Sequence, residues 1–157
     1  MSAVSVEILK KIYNNNVSSQ SSVTALENFR LEIKEGEFTC IVGPSGCGKT
    51  TLLNLIGGLD KNFEGVISVN GVSPQRGSAV GYMFQSPRLM PWLNVGQNVG
   101  LVVDKEPNKD KKIKELLSEM ELDKFIHAYQ KSLSGGMRRR AALARAFITE
   151  PELLLLD

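Results

Sequence analysis

Alternating apolar and polar residues predict two strands near the start of the chain. Val4–Leu9 and Phe29–Lys34 alternate residue by residue, which is the period of a strand with one buried face. The Ser- and Gln-rich stretch Val17–Ser22 between them predicts a surface loop. The continuous apolar run Phe38–Val42 differs from both, and predicts a short strand that is covered on both faces.

Helical and strand patterns follow each other along the rest of the chain. Asn108–Leu122 repeats apolar residues at a helical period between lysines and glutamates, which predicts an amphipathic helix. Runs of good helix formers predict two more helices, Lys49–Ile56 and Ser134–Phe147. Short apolar runs predict three further strands: Val66–Val69, Ala79–Phe84 and Leu153–Leu156, the last of them buried. This mixture of strands and helices predicts an α/β domain.

Composition removes several classes of protein from consideration. The 157 residues are 42% apolar and 23% charged, which is ordinary usage for one globular domain. The net charge of +2 is too small to argue for a nucleic-acid partner, and Arg138–Arg140 are interpreted as a solvated helix face. No stretch approaches the roughly 18 apolar residues of a membrane span, and no secretory signal is expected. Cys40 and Cys47 are interpreted as a buried thiol and a loop residue.

A phosphate-binding loop is predicted between the strand Phe38–Val42 and the helix Lys49–Ile56. The residues that fit the P-loop pattern are Gly43, Pro44, Ser45, Gly46, Cys47, Gly48, Lys49 and Thr50. Glycines let backbone N–H groups point at phosphate oxygens, Lys49 brings a charge to the β- and γ-phosphates, and Thr50 offers a hydroxyl to Mg²⁺. The loop predicts a nucleoside-triphosphate site, which kinases, GTPases and many ATPases share.

A second glycine-rich segment, Leu133–Met137, opens the helix that is predicted to run to Phe147. Ser134, Gly135 and Gly136 place a hydroxyl and bare backbone N–H groups at a helix N-terminus, which is a second phosphate-binding surface. One nucleotide does not easily need both surfaces from a chain of this length. We therefore expect two chains to pair head to tail, each completing the site of the other.

These segments together resemble the nucleotide-binding domain of ABC transporters, from Val6 to Asp157. Gly43–Thr50 is similar to the Walker A motif, Leu133–Met137 to the LSGGQ signature, with methionine in place of glutamine, and Leu153–Asp157 to Walker B. The resemblance implies a P-loop NTPase fold with a RecA-like core, an N-terminal antiparallel β subdomain and an α-helical subdomain. It also implies ATP and Mg²⁺ as cofactors.

The resemblance extends to single residues and implies their roles. Gln85 is similar to the Q-loop glutamine, and Tyr13 to the aromatic residue that stacks on adenine. The implied catalytic residues are Lys49, Gln85 and Asp157. The implied Mg²⁺ site consists of Thr50 and Gln85 as direct ligands, and Asp157, which supports the ion without touching it. The implied nucleotide contacts are Tyr13, Gly43, Pro44, Ser45, Gly46, Cys47, Gly48, Lys49, Thr50 and Thr51, and on the partner chain's ATP Ser134, Gly135 and Gly136.

The implied function is that of an ATP-binding subunit that couples ATP binding and hydrolysis to solute import. Its partners would be a transmembrane permease, reached through the segment after Gln85, and a second copy or paired ABC subunit. A substrate-binding protein would be an indirect partner, and no nucleic acid is expected. The subunit would lie at the cytoplasmic face of the membrane, held there by the permease. Leu89–Val95 resembles the corresponding segment of the nitrate, sulfonate and taurine importers. Because the ATPase subunit of such importers does not touch the transported solute, this resemblance does not identify the cargo.

We expect one nucleotide-binding domain over residues 1–157, incomplete at its C-terminus. It would consist of an ATP-binding core, 1–86, a helical subdomain, about 87–134, and a signature helix with the Walker B strand, 134–157. In the family a glutamate that polarises water and a switch histidine follow the Walker B aspartate, so we expect the isolated chain to be inactive. The resemblance also implies a further core strand between Phe38–Val42 and Leu153–Leu156, and without it the unpaired strand edges are expected to make the isolated chain poorly soluble. It could be part of a longer importing ATPase or a natural module that binds nucleotide without hydrolysis. A DNA-repair ABC ATPase fits poorly, because such proteins carry a long coiled coil between Walker A and the signature, and no sustained heptad pattern lies there in this sequence.

Overall fold

Five strands and four α-helices make up the described part of the chain, residues 2–14, 22–74, 80–103 and 107–157 of a computed structural model. The chain divides into two units, residues 1–78 and 79–157, which are described separately below. The predicted loop Val17–Ser22 lies outside the described residues up to position 21, and Ser22 already begins a strand. The three-part division of the domain stays a prediction.

The first unit is an antiparallel sheet covered by one helix. Strand β1 (Ser2–Asn14) lies between β2 (Ser22–Lys34) and β3 (Glu64–Val69). Helix α1 (Lys49–Ile56) contacts β2 and β3 and buries Leu52, Leu55 and Ile56. The buried apolar residues of this unit are Val4, Val6, Ile8, Leu52, Leu55, Ile56, Ile67 and Val69. The predicted N-terminal antiparallel β subdomain is therefore confirmed.

A β-bulge in β1 changes which side chains face the buried side of the sheet. Ile8 pairs with Gly65 of β3, but the next pair is Lys10 with Glu64, so Leu9 is an extra residue on β1. An extra residue reverses the alternation of faces beyond it. Leu9 is exposed, whereas Lys11 is buried three residues after the buried Ile8. The bulge thus turns the end of β1 so that Lys11 faces inward.

The strand predicted over Phe38–Val42 is wrong: the structure has no strand there. Phe38 is 89% exposed and Val42 is 87% exposed. A run of apolar residues forms a strand only where a neighbouring strand accepts and donates its ladder hydrogen bonds, and none of the described strands pairs with this segment. The interpretation of Cys40 as a buried thiol is wrong for the same reason, since this cysteine is exposed.

The second unit combines two parallel strands with three helices. Strand β4 (Val80–Met83) pairs in parallel with β5 (Leu153–Leu156). Helices α2 (Val95–Gly100), α3 (Lys109–Glu119) and α4 (Gly135–Phe147) surround a shared apolar core. Short 3-10 turns lie at Asp123–Phe125 and Gln130–Ser132. Burial of β5 is only partial, because Leu155 is buried and Leu156 is half exposed.

Two glycines in α2 allow it to pack closely against its neighbours. A Cβ atom at Gly96 would lie 2.9 Å from Cγ1 of Ile126, and one at Gly100 would lie 2.9 Å from Cδ1 of Ile113 in α3. The Gly96 N–H also donates to the carbonyl of Ile126 over 2.9 Å. Helix packing therefore compensates for the low helix propensity of glycine here. Within the described ranges, no helix has the length and apolar character to cross a membrane.

Candidate functional site

The P-loop wraps around the ammonium group of its own lysine. Lys49 donates to the carbonyls of Gly43, over 2.9 Å, and Pro44, over 2.7 Å, and its Nζ lies 3.6 Å from Sγ of Cys47. Helix α1 begins at Lys49, and no side chain caps this helix end. An uncapped N-terminus beside a lysine presents N–H donors and positive charge to an anion. The donor set of this loop therefore fits a polyphosphate.

Gly48 is required where the loop enters α1. Its φ angle is +98°, and a Cβ atom there would lie 2.7 Å from the carbonyl oxygen of Ala25 in β2. Both the backbone conformation and the close approach of the strand exclude a larger residue. The sheet thus fixes the position at which the phosphate loop turns into the helix, while Ser45, Gly46 and Cys47 remain exposed.

Tyr13 lies beside the P-loop helix and contacts an ion pair between Lys11 and Asp60. Its hydroxyl donates to Oδ2 of Asp60 over 3.1 Å and lies 3.5 Å from Oγ1 of Thr51 in α1. Lys11 places Nζ 2.8 Å from Oδ2 of Asp60 and 4.4 Å from the centroid of the Tyr13 ring. The first unit therefore brings Tyr13 next to Thr51, and both residues were predicted to contact the nucleotide. Lys11 and Asp60 were not predicted, because alternation along β1 without a bulge turns Lys11 outward.

Hydrogen bonds lower the pKa of the Asp60 carboxyl group. Burial alone raises this pKa, but hydrogen bonds from Lys11, from the N–H of Asn62 and from the Tyr13 hydroxyl outweigh burial and hold it below its ordinary value of 3.8. A carboxylate with a lowered pKa stabilises the fold fully above the unfolded-state pKa and loses that contribution as the pH falls below it. The cluster is therefore intact at neutral pH.

We expect acid to weaken the whole protein in part through Asp60. Below about pH 4 the free energy of unfolding should fall more steeply in the wild type than in Asp60→Asn, whose amide cannot take up this proton. Urea unfolding between pH 7 and pH 3 measures the difference. Glu35→Gln, which changes an exposed carboxylate in the turn after β2, should follow the wild type. Parallel pH profiles for wild type and Asp60→Asn would contradict the expectation.

Gln85 and Asp157 leave the same edge of the parallel pair in the second unit. Met83 at the end of β4 pairs with Leu156 at the end of β5, and the Asp157 N–H donates to the Met83 carbonyl over 3.0 Å. Ligands of open α/β sheets bind at the carboxyl ends of parallel strands. Burial and the charge of Asp157 raise the pKa of nearby Tyr82 to about 12, so this phenol stays protonated. Gln85 and Asp157 therefore follow strands that end at the same edge of the pair.

The signature segment begins α4 with a capped but open helix end. Ser134 is the N-cap, and its Oγ accepts from the Met137 N–H over 3.2 Å. A Cβ atom at Gly135 would meet nothing within 4 Å, and one at Gly136 would meet only Oγ of Ser134 at 4.0 Å. Neither glycine has a positive φ angle. Packing and backbone conformation within the described chain therefore do not require glycine at these two exposed positions.

The arginines that follow the signature are largely structural. Arg138 donates to the carbonyl of Leu133 over 2.7 Å, and Arg140 donates to the carbonyl of Met120 and pairs with Glu121. Arg140 thereby satisfies carbonyl groups at the C-terminal end of α3, where positive charge is favourable. Two of the three guanidinium groups in the run therefore have structural partners within the described chain.

Two further residues hold the segment after Gln85, and the sequence did not single them out. Arg145 of α4 donates to the carbonyls of Pro87, over 3.0 Å, and Arg88, over 2.9 Å. Asn98 is 1% exposed, accepts from the Met90 N–H and donates to carbonyls between positions 90 and 94. A buried side chain with all its polar groups bonded fixes the loop around it. Neither residue stands out in the sequence, because the partners of both are mainly backbone carbonyls, which no residue type marks.

Comparison with known proteins agrees with this geometry. A family model described as "ABC transporter" matches residues 26–157. The chain is 44% identical over 157 residues to the aliphatic sulfonates import ATP-binding protein SsuB of Bacillus subtilis (strain 168), covering 99% of this chain and 60% of that protein. It is 41% identical to SsuB 2 of Burkholderia cenocepacia (strain HI2424), covering 97% of this chain and 54% of the relative. The chain thus spans little more than half the length of these relatives.

Solved structures show the same fold. A dimeric structure of the ATP-binding cassette MJ0796 in a post-hydrolysis state, bound to ADP and Pi, superposes with a TM-score of 0.88 at 34% identity. The match covers 98% of this chain and 73% of the cassette. The α/β P-loop NTPase fold predicted from the sequence is therefore confirmed. On its family match, its relatives and its fold, the chain belongs to the ABC transporter family of ATP-binding proteins.

Proposed function

We propose that the whole protein is the ATP-binding subunit of an ABC importer, which binds and hydrolyses MgATP to drive solute import. The observation that carries the proposal is the P-loop, in which the Lys49 ammonium and the uncapped start of α1 face the same loop. Charge of this kind stabilises the γ-phosphoryl group while water attacks it, so catalysis rests on positioning and electrostatics.

We assign the ATP contacts as the sequence predicted them. Lys49 and the N–H groups of residues 45–51 bind the phosphates, and the Tyr13 ring takes the adenine base. Thr50 and Gln85 ligate Mg²⁺, which neutralises charge on the β- and γ-phosphates when bound, and Asp157 supports these ligands. The parallel pairing of β4 with β5, after which Gln85 and Asp157 follow at the same edge, supports a shared metal role.

A second chain completes each site in this proposal. Gly135 and Gly136 lower the stability of a helix start that nothing in the described chain forces to be glycine. The cost is accounted for if another molecule approaches the bare backbone. The γ-phosphate of an ATP held by the partner's P-loop is such a molecule, and Ser134 would contact it too. The dimeric state of the similar cassette MJ0796 supports this arrangement.

The permease partner and the class of cargo are inferred from the names of the similar proteins. The SsuB proteins are named for the import of aliphatic sulfonates, and we propose a sulfonate-type or related importer. The segment after Gln85 would contact a transmembrane permease at the cytoplasmic face of the membrane. Arg145 and Asn98 hold this segment, and Trp92 within it is 70% exposed, which suits a protein interface.

ATP turnover by the whole protein tests the proposal. Lys49→Ala should lower turnover about 100-fold, because it removes the charge that stabilises the transferring phosphoryl group. Lys61→Ala changes an exposed lysine in the same unit and should leave turnover unchanged. Wild-type turnover in Lys49→Ala would refute the proposal. Binding of MgATP without hydrolysis by the wild type would refute it as well, and would indicate the non-hydrolysing nucleotide-binding module instead.

A further inference from the structure

The most deeply buried charged side chain that the structure describes is Lys11, and the P-loop chemistry does not use it. Lys11 is 2% exposed, although lysine is almost never fully buried without a partner. Its ammonium group contacts Asp60 over 2.8 Å and the Asn62 carbonyl over 2.6 Å. Burying two charges costs desolvation energy that an apolar pair would avoid. Stability alone therefore does not account for this ion pair.

A consequence of the ion pair is the orientation of Tyr13. The Lys11 ammonium lies 4.4 Å from the centroid of the ring, within the range of a cation–π contact. The Tyr13 hydroxyl donates to the same Asp60 oxygen that pairs with Lys11. The ring is thus held at two places, at its hydroxyl by a carboxylate and across one face by an ammonium group. Even so, 42% of the Tyr13 surface remains exposed.

We propose that the Lys11–Asp60 ion pair is a positioning device that fixes the Tyr13 ring for the adenine base of ATP. Lys11 covers one face of the ring, and the base stacks on the other. The inference rests on the proposed function and adds two positioning residues to it. An immobilised ring loses no rotamer freedom when a base stacks on it, so affinity gained from stacking is not offset by ordering the tyrosine.

The β-bulge explains why this device forms. Without the extra residue Leu9, strand alternation would turn Lys11 and Tyr13 to the face opposite Ile8. With it, Lys11 and Tyr13 share a face, two residues apart, and reach Asp60 just beyond the end of α1. The same helix begins with Lys49 in the P-loop. Tyr13 therefore lies close to the first turn of this helix, where its hydroxyl is 3.5 Å from Oγ1 of Thr51.

The test compares two probes on the whole protein: MgATP, and magnesium tripolyphosphate, which has no base. Lys11→Met removes the charge but keeps the length of the side chain. It should raise the dissociation constant for MgATP about tenfold and leave that for tripolyphosphate within about twofold, since only stacking on the base is weakened. Lys11→Arg keeps the charge and should restore most of the affinity. Lys10→Met, on the neighbouring residue, is the matched control and should change neither constant.

Tyr13→Phe covers the case in which Lys11→Met fails to fold, because it leaves the ion pair in place. It keeps the ring but removes the hydrogen bond to Asp60, and should weaken MgATP about threefold without affecting tripolyphosphate. Equal losses for both probes in either variant, or no loss for MgATP, would overturn the positioning role. Wild-type protein that binds tripolyphosphate as tightly as MgATP would overturn the adenine role of Tyr13 in the proposed function itself, and the inference with it.

Discussion

Alanine at both Gly135 and Gly136 is expected to stabilise α4 and yet to lower ATP turnover of the whole protein about 1,000-fold. Each alanine should raise helix stability by up to about 1 kcal/mol, because no atom of the described chain obstructs the new methyl groups. Each methyl group would instead hold the γ-phosphate of the ATP bound by the partner chain away from the backbone of α4. A displacement of about 1 Å at one contact can cost about 100-fold in rate, and the losses at two neighbouring contacts combine to less than their product.

Two measurements separate this effect from damage to the fold. Urea unfolding should give a free energy of unfolding at or above that of the wild type, while steady-state ATP turnover falls. Arg139→Ala, an exposed change in the same helix, should leave turnover near the wild-type value. A double variant that is less stable, or fully active, would contradict the interpretation of these glycines as contacts for another molecule.

Mixing variants tests whether the site is shared between two chains. A heterodimer of Lys49→Ala and the double glycine variant contains one site in which both the P-loop and the signature are intact. Random pairing would therefore restore up to about a quarter of the wild-type turnover, from two preparations that are each almost inactive. Absence of any recovery would contradict the head-to-tail arrangement.

Substitution of Gly65 by alanine is expected to destabilise the first unit by at least about 3 kcal/mol. The φ angle of Gly65 is +138°, and a Cβ atom there would overlap the carbonyl oxygen of Glu7 and approach Cα of Ile8. Both contacts are with backbone, which cannot move without separating β3 from β1 at the bulge. Thermal or urea unfolding of the whole protein measures the loss.

Gly71→Ala is the matched control for this prediction. Gly71 follows β3 with a φ angle of +75°, and nothing lies within 4 Å of its hypothetical Cβ atom. Its alanine variant suffers only the left-handed conformation, at about 1 kcal/mol. Equal costs at the two positions would mean that the close backbone approach at the bulge is unimportant.

Local segments with fixed chemistry were predictable from the sequence. The P-loop and the helix after it, Lys49–Ile56, appear with the predicted bounds, and α4 begins after its Ser134 cap as expected. Such features depend on residues that are adjacent in the chain: glycines in a turn, a hydroxyl before a helix, good helix formers in a row. The order of these motifs was also sufficient to indicate the family.

Features that depend on residues far apart in the sequence were decided only by the tertiary structure. An apolar run such as Phe38–Val42 becomes a strand only beside a partner, and the run by itself cannot supply one. The position of Gly65 opposite Ile8 inserts a bulge that turns Lys11 and Tyr13 toward Asp60. The sequence by itself determined the position of the P-loop and predicted which residues bind phosphate. Strand register determined which way Tyr13 faces, because one extra residue in a ladder reverses every side chain beyond it.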